Sequence, residues 1–163
     1  MASDRQPRGA SKTRSRSVPA GSIAVAETRY IESSALLAAL LEAEPGARKA
    51  IRAPGRRVTS ALTLVEANRA VIRARTTGRL SAAQERNAVR GLQTFGRRCE
   101  IIAVSEDVLT RAGRPFPVEP IRTLDAIHIA TVELLGEMPQ LVTFITRDKR
   151  VADNAQALGY ALG

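Results

Sequence analysis

Cysteine, histidine and aromatic residues are all scarce in this sequence of 163 residues. The single cysteine, Cys99, excludes a disulfide within the chain, and the lack of a cysteine and histidine cluster argues against a structural zinc site. Aromatic residues make up 3% of the chain and tryptophan is absent, so base stacking is not expected to be a main means of ligand recognition.

Long apolar runs are also missing. None reaches the roughly 18 to 20 residues that span a bilayer, and the N-terminus lacks the apolar segment of a secretory signal. We therefore expect a soluble, cytoplasmic protein without membrane association. A length of 163 residues with 44% hydrophobic content allows one well-buried domain and is too short to expect two.

Positive charge is present in excess, with a formal net charge of +9. Cationic surfaces attract phosphate backbones, so this excess suggests a polyanionic partner. Residues 1–20 contain five basic residues and one acidic residue, without apolar periodicity. We expect residues 1–24 to form a disordered basic tail and residues 25–163 to form one domain. The tail is an RNA-contacting arm, a solvated extension or the result of a misplaced start.

From residue 25 onward, short β-like runs alternate with longer helical runs. The first helix is predicted to end at Pro45 and Gly46. The strands are predicted in VAETRYIES (25–33), RRVTS (56–60), CEIIAVS (99–105) and LVTFIT (141–146). This alternation predicts an α/β fold with a mainly parallel central sheet covered by helices on both faces.

Four carboxylates, of Glu32, Glu66, Asp125 and Asp148, fall at the carboxyl ends of strands or at the starts of the helices that follow. Ligands of parallel sheets bind at this edge, so the four side chains are expected to converge. Clustered acids repel one another unless a cation neutralises them, and carboxylate ligands suit Mg²⁺ or Mn²⁺. An acidic pocket in a basic protein favours a nuclease, in which a divalent ion lets a phosphodiester approach the acids.

Three of the four acids also have a simpler interpretation. Glu32 alone fits a solvated acid at a strand end, and Asp125 fits a helix N-terminal charge. Asp148 fits a helix cap, or a partner of Lys149 or Arg150. The metal site is preferred because all four acids fall on the same predicted edge.

Four polar residues are candidates for supporting roles. Ser33, Ser34 and Thr146 offer hydroxyls near the metal or its waters, with helix capping as the alternative for the two serines. His128 shares a helix face with Asp125 at i, i+3 spacing. It is expected to hydrogen-bond a metal-binding carboxylate, to contact RNA phosphate, or to serve in packing alone.

Four segments together resemble the PIN domain, and most closely the VapC-type toxins of bacterial toxin–antitoxin pairs. The resemblance covers roughly residues 27–163, and the segments are RYIESSALLAALL, TSALTLVEANRAV, RTLDAIHIATVELL and VTFITRDKRVADNAQALGY. It implies a three-layer α/β/α sandwich, a metal-dependent endoribonuclease activity on RNA, frequent homodimerisation and neutralisation by a cognate antitoxin protein.

The resemblance also implies site residues. Glu66, Asp125 and Asp148 match acidic positions of the family, whereas Glu32 stands where the family normally has aspartate. The extra methylene moves the carboxylate by roughly 1.5 Å, which is large beside the strict geometry of Mg²⁺. A second hypothesis is therefore a catalytically weakened PIN module that binds RNA or a partner protein without cutting.

Overall fold

The computed structural model describes residues 27–163, and the tail expected over residues 1–24 lies outside them. Within this part of the chain the strands β1 to β5 span Thr28–Ile31, Arg56–Ser60, Glu100–Ile102, Val142–Ile145 and Ala161–Leu162. The helices α1 to α7 span Ser33–Leu41, Pro45–Arg52, Ala61–Thr76, Ala82–Gly96, Glu106–Ala112, Thr123–Glu133 and Lys149–Ala157. A short 3₁₀ turn, Pro139–Leu141, precedes β4. None of the helices in this range has the length and apolar character needed to cross a membrane.

The strands form one parallel sheet in the order β3-β2-β1-β4-β5. The chain runs outward from β1 through β2 to β3, then returns to the other side of β1 as β4. The strand order therefore reverses its direction between β1 and β4, whose last residues Ile31 and Ile145 are paired. The α/β prediction with a parallel central sheet is confirmed, and the crevice at this switch point is where such sheets bind ligands.

Apolar side chains cover both faces of the sheet. On β1, Tyr30 points into one hydrophobic cluster and its neighbour Ile31 into another, and Phe144 and Ile145 divide in the same way on β4. Successive strand residues face opposite sides, so a strand buried on both faces shows a continuous apolar run. This is why β4, whose four residues VTFI are all buried, is recognisable from the sequence.

One helix was missed. The sequence pattern predicted that Pro45 and Gly46 end the first helix, but α1 ends at Leu41 and Pro45 begins α2. Proline is well suited to the first turn of a helix, because its missing N–H has no intrahelical partner there. Strand β3 is also shorter than predicted, covering residues 100–102 of the run 99–105.

Candidate metal centre

The predicted acids lie around the carboxyl ends of β1 and β4. Glu32 follows β1 directly, and its backbone N–H donates to the carbonyl of Ile145 at 3.0 Å, which ties it to the end of β4. Thr146 and Asp148 follow β4, and Glu66 and Asp125 enter from α3 and α6. The sheet topology thus brings side chains from four parts of the chain to one edge.

Glu32 is 4% exposed, and its carboxylate is surrounded by hydrogen-bond donors. The hydroxyl of Ser33 donates to Oε1 at 2.5 Å. Oε2 accepts from the Ser34 backbone N–H at 3.0 Å, from the Ser34 hydroxyl, and from Thr146 Oγ1 at 3.0 Å. The interpretation of Glu32 as a solvated strand-end acid is therefore wrong, because its charge is buried and held by four donors.

The serines act differently from a simple helix cap. Glu32, and neither Ser33 nor Ser34, is the N-cap of α1, since its side chain accepts from the Ser34 N–H. Ser34 Oγ in turn accepts from the Arg147 N–H at 2.8 Å and lies 3.2 Å from Thr146 Oγ1. The hydroxyls therefore join the first turn of α1 to the loop after β4, around one carboxylate.

Glu66 and His128 complete the tightest part of the cluster. His128 Nε2 lies 2.7 Å from Glu66 Oε2 and 3.7 Å from Glu32 Oε1. Glu32, Glu66 and His128 each present a ligand-type atom, and these three atoms lie within 4.8 Å of one another. Burial raises the pKa of Glu66, but the hydrogen bond and charge of His128, with the Ser33 hydroxyl, leave that pKa below its usual value. Glu66 is thus held in its ionised form.

Of the four acids, Asp125 has the least stabilisation of its negative charge by neighbouring protein groups. It lies in the first turn of α6, and its Oδ2 is buried without a hydrogen-bond partner among residues 27–163. Burial raises the pKa of Asp125, and the negative charges of Asp148 and Glu32 raise it further, against smaller opposing effects of Arg122 and His128. A carboxylate in this position is stabilised by a cation brought from outside.

Asp148 lies at the edge of the cluster and caps a helix. Its side chain accepts from the Arg150 N–H at 2.8 Å as the N-cap of α7, and its own N–H donates to Thr146 Oγ1 at 3.0 Å. The capping interpretation therefore holds for Asp148. Its charge still acts on the site, because it raises the pKa of Asp125.

The residues fit a hard divalent cation. Carboxylate and hydroxyl oxygens are the donors that Mg²⁺ and Mn²⁺ prefer. Asp125 Oδ2 supplies an oxygen with no competing hydrogen bond in the described chain. The close group of Glu32 and Glu66 lies beside it, as the electrostatic effect of Glu32 on Asp125 indicates.

One participant was missed from the sequence. The Tyr30 hydroxyl lies 2.8 Å from His128 Nδ1, in the core behind the site. Tyr30 stands two residues before Glu32, on the same face of an extended segment, and this period-two spacing was the available indication.

Comparison with known proteins identifies the family. A family model described as the PIN domain matches residues 29–157. The chain belongs to the PIN domain family. Among curated proteins, Ribonuclease VapC46 of Mycobacterium tuberculosis is 36% identical over 140 residues, covering 82% of this chain and 94% of the relative. Ribonuclease VapC35 of the same species is 35% identical over 137 residues, covering 82% and 93%.

Solved structures show the same fold for this PIN domain. VapC20 of M. tuberculosis, described as a sarcin-ricin loop cleaving toxin, aligns with a TM-score of 0.58 at 16% identity, covering 82% of this chain and 96% of that one. VapBC2 of Rickettsia felis, bound to a DNA fragment from its promoter, aligns with a TM-score of 0.58 at 16% identity, covering 83% and 97%. At this identity the likeness concerns the fold alone.

Proposed function

We propose that this protein is a metal-dependent endoribonuclease that hydrolyses RNA phosphodiester bonds, and that it is the toxin of a VapBC-type toxin–antitoxin pair. The observation that carries the proposal is the buried, unpartnered Oδ2 of Asp125 beside the clustered carboxylates of Glu32 and Glu66. The VapC ribonucleases at 35–36% identity support the same activity.

The resident cation is Mg²⁺ or Mn²⁺, held by Glu32, Glu66, Asp125 and Asp148. When bound, it would polarise the scissile phosphodiester and lower the pKa of an attacking water. The protein orients Glu32 and Glu66 before the cation arrives, and the hydrogen bond from His128 favours the ionised form of Glu66. Ser33, Ser34 and Thr146 hold Glu32, while His128 holds Glu66.

Basic residues beside the acids provide the phosphate attraction that an RNA substrate requires. Arg122, the N-cap of α6, is exposed and acts on the charge of Asp125. Arg150 is exposed in the first turn of α7. With 3% aromatic residues in the chain, recognition rests on backbone charge and RNA shape.

The test is cleavage of a panel of structured RNAs by the purified protein, free of any antitoxin, in Mg²⁺, Mn²⁺ or EDTA. The expected result is cleavage at a limited set of sites with either metal and none with EDTA. Cleavage that persists in EDTA would exclude the metal-dependent activity, and intact RNA under all conditions would exclude the nuclease.

A second candidate is a PIN module that binds RNA or a partner protein without cutting. It is favoured by one observation, that both oxygens of the longer Glu32 side chain are already engaged by hydroxyl and N–H donors. Glu32→Asp separates the two functions. A large gain in metal-dependent cleavage supports a nuclease impaired by the extra methylene, whereas no cleavage in either form supports the binding module.

An antitoxin would have a suitable docking surface on the face formed by α1, α2 and α4. An open groove of about 860 Å³ runs between these helices, with Leu36, Leu40, Ile51 and Phe95 among its apolar lining residues. Five arginines, and no acidic residue, also line this arginine groove: Arg48, Arg52, Arg57, Arg90 and Arg98. None of the five forms a salt bridge within residues 27–163.

An apolar floor edged by unpaired positive charge fits an acidic amphipathic segment, because such a segment buries its apolar side and places carboxylates opposite the arginines. We assign this groove to a segment of the antitoxin. Proteins of similar fold include a toxin–antitoxin complex from Klebsiella pneumoniae and VapBC-5 of Mycobacterium tuberculosis, a member of the VapBC family of toxin–antitoxin systems, which supports a protein partner of this kind.

Co-expression with the product of the adjacent reading frame tests this assignment. The Arg90→Glu and Arg98→Glu double variant reverses two groove charges, and Arg86→Glu with Arg97→Glu reverses two exposed charges of the same helix region outside the groove. The groove variant is expected to lose the complex and the control to retain it. Equal retention by both variants would exclude the groove.

Homodimerisation is part of the proposal as well. Val65 and Ile72 lie two turns apart on α3 and are 59% and 45% exposed. Apolar side chains on one exposed helix face favour a contact with another chain. Light scattering should give a dimer for the wild type and a monomer for Ile72→Glu, and a monomeric wild type would exclude the dimer.

A further inference from the structure

A chain of two hydrogen bonds runs from the core to the metal centre. The Tyr30 hydroxyl lies 2.8 Å from His128 Nδ1, and His128 Nε2 lies 2.7 Å from Glu66 Oε2. Tyr30 is fully buried and His128 is 1% exposed, whereas the Glu66 side chain is 21% exposed. Glu66 is therefore the solvent-facing end of a chain whose other members are fixed inside the protein.

The hydrogen-bond partner of His128 Nε2 indicates whether this nitrogen carries a proton. An ionised carboxylate only accepts hydrogen bonds, so the 2.7 Å contact with Glu66 requires that Nε2 carries a proton. This holds whether the imidazole is neutral, with Nδ1 accepting from the Tyr30 hydroxyl, or cationic, with Nδ1 donating to it. A protonated nitrogen has no free lone pair for a metal ion. In this geometry His128 acts as a donor to Glu66, although its distances alone would also suit a ligand.

The side chain of Tyr30 is held in place by the residues packed around it. Its ring packs against Phe144 with the centroids 4.8 Å apart, within the larger hydrophobic cluster. It stands on β1, His128 on α6 and Glu66 on α3, so the two hydrogen bonds connect three separate elements. A glutamate side chain has several rotatable bonds, and a fixed donor removes much of that freedom before a cation binds.

We propose that Tyr30 and His128 are a positioning pair that orients the Glu66 carboxylate for divalent cation binding. The inference rests on the proposed metal-dependent function. Partners that orient ligating groups change metal affinity by about 10- to 100-fold when they are removed. The effect is expected in cation affinity first, and cleavage should recover as the metal concentration is raised.

Calorimetric titration of the full-length protein with Mn²⁺ measures this effect apart from catalysis. His128→Leu removes the donor and should weaken Mn²⁺ binding by about 10- to 100-fold. His128→Gln keeps an N–H near the position of Nε2 and should retain most of the affinity. Tyr30→Phe removes only the hydroxyl and should weaken binding by less than His128→Leu does. Circular dichroism of each variant confirms folding.

Several results would overturn the proposal. Wild-type affinity in His128→Leu would show that Glu66 needs no positioning. Loss of binding in His128→Gln as complete as in Glu66→Gln would make the histidine a ligand. Unchanged affinity in Tyr30→Phe would remove the tyrosine from the pair, and this variant applies even if His128→Leu does not fold. A wild-type protein that neither binds Mn²⁺ nor cuts RNA would instead defeat the proposed function, and this inference with it.

Discussion

The candidate metal centre and the arginine groove concentrate charge of opposite sign in different physical settings. At the metal centre, Glu32 is buried and Asp125 has a buried oxygen without a partner in the described chain. In the groove, Arg48, Arg52 and Arg90 are exposed to water. Water screens exposed like charges, whereas buried ones interact strongly and must be neutralised. The comparison supports the proposal that the acidic site binds a cation, while the groove is stable without a partner.

The largest expected effect comes from removing one charge of the metal centre. Asp125→Asn should lower metal-dependent RNA cleavage by about 10²- to 10³-fold, as the loss of one electrostatic group at a reaction centre commonly does. Initial rates on one RNA substrate in Mg²⁺ measure the change. The control is Asp153→Asn, because Asp153 pairs with Lys149 at 2.6 Å on the surface of α7. Equal losses in both variants would mean that the effect is not specific to the centre.

Cys99 lines the groove, and the reactivity of its thiol should show that this part of the lining is partly shielded from water. Burial raises the pKa of the Cys99 thiol to about 11, in spite of nearby Arg57. Because the thiolate is the reactive form, alkylation by iodoacetamide at pH 8 should be roughly 100-fold slower than for a free cysteine. The rate should rise about tenfold per pH unit up to pH 10. Fast, pH-independent alkylation would place the thiol in ordinary solvent.

Cation binding should stabilise the acidic site measurably. At 100 times its dissociation constant, Mn²⁺ adds about 2.7 kcal/mol to the free energy of unfolding, or about 5 to 10 °C in Tm for a chain of this size. Circular dichroism in Mn²⁺ and in EDTA measures the shift, since tryptophan fluorescence is not available. Asp125→Asn should reduce the shift and, in EDTA, melt above the wild type because charge repulsion is relieved. An identical Tm of the wild type in both conditions would argue against a cation site.

The smallest effect is expected at Glu119, an acid with the opposite electrostatic setting from Asp125. Its carboxylate accepts from the N–H groups of Phe116 at 3.0 Å and Ile121 at 2.8 Å, and these bonds lower its pKa. An acid whose pKa is lowered in the folded state stabilises the protein at pH values above its usual pKa of 4.5. This stabilisation is lost as the pH falls through the pKa of the folded state.

Glu119→Gln should therefore lower Tm by about 1 °C at pH 7 and by less at pH 3. Melting curves of both proteins from pH 3 to pH 7 measure the difference. A difference in Tm that grows toward acid pH would contradict this explanation.

The sequence predicted most of the sheet and the helices around the centre. Strand β4 is recognisable because burial on both faces leaves the largely apolar run VTFI. Helix α2 was missed because Pro45 has two local meanings, the end of one helix or the first turn of the next. The local sequence does not distinguish them.

The sequence by itself determined which residue types follow each strand, and hence that acids and hydroxyls gather at one edge of a parallel sheet. Only the tertiary structure decided how they meet. His128 contacts Glu66 across 62 positions of the chain and Tyr30 across 98, and the arginine groove draws its lining from three helices, strand β2 and the segment after α4. Local patterns arise from neighbouring residues and can be read along the chain, whereas such contacts depend on how whole elements pack.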